Sequence, residues 1–136
     1  MTKIESKIVT INSPAVSVFN YLRNFKNFEN LMPEQVSDWQ CTEEECSFNI
    51  SGMASIGMKM VEKTSPTHIK MASQGKVPFN FTLHVFLKET SASTTEGQIV
   101  MDADMNMMIR MMAEKPLTNF INMLAQKMTE IQYPVA

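Results

Sequence analysis

The chain has 136 residues, of which 44% are hydrophobic and 19% charged, and its formal net charge is −2. That balance describes one folded domain over residues 1–136, with enough apolar material for a core, and it excludes a disordered chain. Lysine and arginine are scattered without a run, which excludes a nucleic-acid footprint, and no stretch approaches the roughly 18 apolar residues of a membrane span.

The opening MTKIESKIVTI lacks the apolar core of a signal peptide, so a cytoplasmic protein is expected. Lys3–Ile11 is rich in Ile, Val and Thr and reads as a strand. Ser13 and Pro14 then give an N-cap and a first helical position for a helix carrying Val16, Val18, Phe19, Tyr21 and Leu22. A second short helix spans Asn24–Leu31, with Phe25, Phe28 and Leu31 as its apolar side and Pro33 as its stop.

From Gln35 to Ala103 the chain reads as strand and turn. Val36–Cys41 contains Trp39, the chain's single tryptophan, and Cys46–Ser51 alternates with Cys46, Phe48 and Ile50 on one face. Ser51-Gly52 turns the chain into Ala54–Val61, where Ile56, Met58 and Met60 share a face. After the turn Thr64-Ser65-Pro66 comes His68–Ser73, with Ile69 and Met71 as its apolar residues. Phe79–Lys88 is the clearest strand: Phe79, Phe81, Leu83, Val85 and Leu87 face one way, and Asn80, Thr82, His84 and Lys88 the other. Thr94–Met105 closes the set with Ile99 and Met101 facing inward.

The last stretch is the most informative. Leu117, Phe120, Ile121, Leu124, Met128 and Ile131 recur at three- and four-residue spacing, the signature of an amphipathic helix. Before it, five of the eight residues from Met105 to Met112 are methionine. Pro116 lies at the junction, so a Met-rich segment, a break and then a helix from Leu117 are expected. In a helix running straight through, Met108 and Met112 would point nearly opposite to Leu117.

The resulting order is strand, two short helices, six strands at meander spacing and a long helix. Short turns imply antiparallel pairing, and alternation gives the sheet one wet and one covered face. The fold class expected is therefore α+β. A curved antiparallel sheet of about seven strands wraps the C-terminal helix, with space between them for a ligand.

This order resembles the START-like (SRPBCC) superfamily, whose helix-grip fold is shared by pollen-allergen-like proteins, polyketide cyclases and lipid-transfer domains. The similarity rests on Ile11-Asn12-Ser13-Pro14-Ala15-x-x-Val18-Phe19-x-Tyr21-Leu22, on Phe28-x-x-Leu31-Met32-Pro33, and on the Met105-Asn106 step into the last helix. It spans nearly the whole chain and matches best the small bacterial polyketide cyclase/dehydrase-like members. The resemblance implies a seven-stranded sheet gripping the final helix around a hydrophobic cavity. Superfamily members bind lipids, sterols, quinones or polyketides, and some catalyse cyclisation or dehydration. It assigns no catalytic residue to this chain.

The candidate ligand-binding set is Trp39, Phe48, Met58, Met60, Met71, Phe79, Phe81, Met101, Met108, Arg110, Met112, Phe120 and Leu124. Ile50, Leu83 and Ile99 complete the expected inner face, which is almost wholly apolar. His84 alternates onto the solvent face with Asn80 and Thr82 and is read as exposed rather than catalytic, and His68, just after a turn, is read as exposed too. Asp102, Asp104 and Asn106 read as rim residues, with Asp104 or Asn106 capping the last helix. Arg110 reads either as a cation at the cavity mouth for an acidic head group or, more simply, as a surface arginine. Cys41 and Cys46 flank the turn Thr42–Glu45 and read as reduced structural thiols, although a disulfide across that hairpin is geometrically conceivable. No metal site and no cofactor are expected, since His68 and His84 lack ligand spacing and no dinucleotide, phosphate-loop or nucleophile-elbow motif is present.

Three functions follow from this reading. The favoured one is a non-enzymatic binder or carrier of a hydrophobic small molecule (lipid, fatty acid, quinone or polyketide-like), with the Met-rich segment as a flexible lid. The alternatives are a cyclase- or dehydratase-type enzyme, and a protein-interaction module whose cavity is filled by Met and Phe side chains. The expected partner is an apolar ligand rather than nucleic acid or a spanned membrane, and homodimerisation is left open.

Overall fold

The computed structural model of the chain describes residues 2–51 and 54–134. Its elements are β1 (Thr2–Glu5), β2 (Val9–Ile11), α1 (Ala15–Leu22), α2 (Phe25–Phe28) followed by a 3-10 turn (Glu29–Leu31), β3 (Val36–Cys41), β4 (Glu45–Ile50), β5 (Ala54–Thr64), β6 (His68–Ser73), β7 (Phe81–Ser91), β8 (Thr94–Ala103) and α3 (Met107–Glu130). The strands form one antiparallel sheet in the order β1-β8-β7-β6-β5-β4-β3, with β2 also pairing β8. The turn expected at Ser51-Gly52 lies partly outside the described residues.

The sheet has eight strands rather than seven, because the expected first strand is interrupted at Ser6-Lys7-Ile8. Ser6 breaks the ladder there. Its N–H donates to the Ile99 carbonyl at 2.8 Å, and its Oγ accepts the Ile99 N–H at 2.9 Å. Both halves still pair with β8, β1 through Thr2↔Ala103 and β2 through Ile11↔Thr95. Lys7 N–H then donates to Asn122 Oδ1 at 2.8 Å, tying this interruption to α3.

The first helix starts one residue later than expected. Pro14, in an extended conformation, stands at the cap position without a side-chain cap bond. Ser13 is not the cap, and its carbonyl instead accepts the Thr95 hydroxyl at 2.8 Å. Asn24 does cap α2, its Oδ1 accepting the Lys26 N–H at 2.9 Å.

The larger departure is at the C-terminal helix. The expected break at Pro116 is absent: α3 runs unbroken from Met107 to Glu130 with Pro116 inside it. Its buried residues, Ala113, Leu117, Phe120, Ile121, Leu124, Ala125 and Met128, continue one stripe across the proline. Tertiary burial of that stripe outweighs the local cost of one missing N–H. Asn106 is the cap, with its Oδ1 accepting the Ile109 N–H at 2.9 Å. Within the helix, Thr118 Oγ1 donates back to the Glu114 carbonyl at 2.7 Å.

α3 packs on β1, β2, β8 and the 3-10 turn. Gly97 of β8 permits that approach. A Cβ there would sit 3.0 Å from Ile11 Cδ1 and 3.2 Å from Met128 Cε. One contiguous apolar core results, drawing on both helical regions and the inner face of the sheet. Among the described residues no helix is long and apolar enough to cross a membrane.

Candidate functional site

Alternation along the strands and the stripe on α3 leave an incompletely filled space between them, a cavity of about 220 Å³. The sheet contributes Phe48 and Ile50 from β4, Ile56 and Met58 from β5, Phe81 and Leu83 from β7, and Met101 from β8. The helix contributes Ile109, Met112, Ala113, Leu117, Phe120 and Leu124. Met32, Pro78 and Phe79 close the flanks, with Phe79 edge-on to Phe81 at 6.1 Å. Every lining side chain is apolar. Most are buried, but Met112 is 75% exposed and Pro78 is exposed as well. The cavity therefore reaches the surface between the first turns of α3 and the loop that carries Pro78.

Eight of the residues singled out from sequence stand on this wall: Phe48, Met58, Phe79, Phe81, Met101, Met112, Phe120 and Leu124. Five do not. Trp39, on the edge strand β3, lies behind Phe48 and stacks on it at 5.3 Å and 25°. Met71 is wholly buried in the core, and Met60, its register partner on β5, is half-buried beside it. Met108 is 73% exposed, because the unbroken helix turns it away from the sheet. Arg110 is exposed, and its Nε donates to Glu114 Oε2 at 3.2 Å, one turn along α3.

Ile109, Ala113 and Leu117 were missed as wall residues. The assumed break at Pro116 hid the first two, which belong to the same stripe as Leu117 once the helix is continuous. Ile56 was visible in the alternation of β5, and Met32 and Pro78 carry no periodic signal because they lie in loops.

The histidines occupy the other face. His84 does point outward, yet it is not exposed, its side chain being only 14% accessible. It pairs across the sheet with Lys70, which places it diagonally beside His68. The two rings are near-parallel (7°), and His68 Nε2 lies 2.9 Å from His84 Nδ1. One of these nitrogens donates and the other accepts. On its far side His84 Nε2 lies 3.1 Å from Thr82 Oγ1 and 3.6 Å from Asp102 Oδ2. Phe86 stacks on His68 at 4.7 Å and shields the pair further. Burial holds the His84 imidazole below its ordinary pKa, and His68 pushes the same way, while Asp102 pulls it back up. The signal missed in sequence was cross-strand: the loop after β6 sets a register that brings together two histidines 16 positions apart. This cluster cannot reach the cavity, because Leu83 and Val85 on either side of His84 face inward.

Neither a family sequence model nor a curated protein matches the chain. Solved structures match it over nearly its whole length. A START superfamily protein from Mycobacterium smegmatis superposes with a TM-score of 0.75 at 11% identity, covering 94% of each chain. XoxI from Bacillus cereus gives 0.76 at 10% identity, covering 96% of this chain and 94% of its own. CV1439 from Chromobacterium violaceum gives 0.73 at 10% identity, covering 99% and 100%. At such identities the likeness is one of fold. Together with the sheet order and the gripped helix, it shows that this chain has the START-like, helix-grip fold.

Proposed function

We propose that this protein binds a hydrophobic small molecule between its sheet and α3, without chemically transforming it. The observation that carries the proposal is a wall of sixteen residues that contains no ionisable or hydroxyl-bearing side chain. Such a surface rewards the removal of apolar area from water, about 0.8 kcal/mol per methylene, and offers no group to move a proton or stabilise a charge. A dry apolar cavity of about 150 Å³ already admits benzene. The cavity here, about 220 Å³, suits a single alkyl chain or one ring better than a sterol. A polar head group stays at the opening near Met112 and Pro78.

A second reading, a contact surface for another protein or a second copy of the chain, is favoured by one observation. Met107, Met108, Met111 and Met112 are 73–80% exposed and adjoin one another on the first turns of α3. Exposed adaptable methionines suit apolar partners.

The methionine methyl groups separate the two readings. In protein labelled with 13C at those methyls, titration with 1-decanol is expected to shift Met58, Met101 and Met112 and to leave Met71 in place. Absence of any shift at Met58 and Met101 would contradict cavity binding. Shifts confined to Met107, Met108 and Met111 that grow with protein concentration would favour the contact surface.

A further inference from the structure

Cys41 and Cys46 are register partners at the turn end of the β3–β4 hairpin, directly opposite each other on adjacent strands. The next pair toward the tip is hydrogen-bonded, since the Thr42 N–H donates to the Glu45 carbonyl at 2.8 Å. Antiparallel ladders alternate, so Cys41 and Cys46 form the intervening pair that exchanges no backbone bonds. In such a pair the Cα atoms lie about 4.5 Å apart and the side chains are at their closest, within the roughly 4.4–6.8 Å span of disulfides. Both side chains take the inward parity of their strands, in line with Trp39 on β3 and Phe48 on β4.

The hairpin is held in place by its surroundings. The Glu43 carbonyl accepts the Phe25 N–H at 3.1 Å, and the Glu44 carbonyl accepts the Met60 N–H at 2.8 Å. The turn is thus pinned from both sides. The two thiols are free, and they differ in access: Cys46 is buried and Cys41 is half-exposed beside Gln40, Thr42 and Gln74.

We infer that Cys41 and Cys46 are a dithiol site for two-electron oxidation by hydroperoxides, closing reversibly to a cross-strand disulfide. In the first step the Cys41 thiolate attacks one peroxide oxygen and the O–O bond breaks. An alcohol leaves (water, when the oxidant is hydrogen peroxide), and Cys41 becomes a sulfenic acid. In the second step Cys46 Sγ attacks Cys41 Sγ, the S–O bond breaks, and the departing hydroxide takes the Cys46 proton to leave as water. The sum is two thiols plus ROOH giving one disulfide, ROH and H2O. Cys41 is the thiol that a peroxide can reach and so is the attacking group, while Cys46 is buried, its thiol pushed up to about 12 by that burial and by the neighbouring Cys41, and is the resolving one. Direct opposition within the hairpin supplies the proximity that offsets a weak resolving nucleophile.

The test is intact-mass analysis of the whole reduced chain after treatment with hydrogen peroxide, with maleimide counting of thiols. The expected result is a monomer with no reactive thiol that is lighter by about two mass units, apart from the multiples of about 16 that peroxide adds at the exposed methionines, and dithiothreitol restores both thiols. Emission from Trp39, the single tryptophan and two residues from Cys41, should fall on oxidation and recover on reduction. Cys46→Ala should abolish the mass loss and send Cys41 on to the sulfinic acid. Unchanged thiols, oxidation of Cys41 alone in the native sequence, or a disulfide-linked dimer would each overturn the inference. The decisive reading is made on the native sequence, so it stands even if the variant folds poorly.

Discussion

His84 shows how far a single residue can be read from its neighbours in sequence. Its outward direction followed from alternation with Leu83 and Val85, and that direction removes it from the cavity. Its burial did not follow, because the groups that cover it, His68, Phe86 and Asp102, arrive from three strands. The consequence is a defined pH dependence. With its folded pKa below the ordinary value near 6.5, His84 is neutral in both folded and unfolded chains above that value and costs nothing there. As pH falls from about 6.5 through the lower folded value, the unfolded chain takes up the proton first and stability is lost. Thermal melts between pH 7.5 and 5 should show that loss, and His84→Gln should flatten it. A His84→Gln variant with the same slope as the native protein would assign the acid sensitivity elsewhere.

At the scale of elements, strands were legible where one face is apolar and the other polar, as in β7, because the two-residue period reports burial directly. The ends and interruptions were not, since Ser6 breaks the first strand through a side-chain bond to β8 that no local pattern encodes. Pro116 was misleading for the opposite reason. A local rule was clear, but the stripe from Ala113 to Met128 outweighed it. The proline still costs the Met112 carbonyl its helical donor, so Pro116→Ala is expected to stabilise the fold by about 1–2 kcal/mol after allowance for the freer unfolded chain. Urea unfolding measures this directly. A destabilised variant would mean that the proline is required by α3. The same continuity fixes the fate of the Met-rich turn. It is helix rather than a loose lid, and Met112 alone of its four exposed methionines borders the cavity.

At the scale of the molecule, element order and the covered face of the sheet were enough to read the helix-grip architecture, and most of the inner face followed with them. The cavity's extent was harder, because a void is a property of how side chains from five elements fail to meet. Phe48 and Met101 could be assigned to the inner face from period alone, but nothing in sequence separates them from Met71, which faces the same way and is packed solid. The central claim is that this void is a dry, apolar site of limited length. The most direct measurement is calorimetric titration with a homologous series of 1-alkanols, for the native chain and for Ala113→Phe, which fills the helix side of the cavity. Affinity is predicted to rise about fourfold per added methylene, the equivalent of about 0.8 kcal/mol. It should then level off when the cavity is full, and in Ala113→Phe it should level off at a shorter chain. Affinity that is undetectable, independent of chain length, or unaltered by Ala113→Phe would contradict the account.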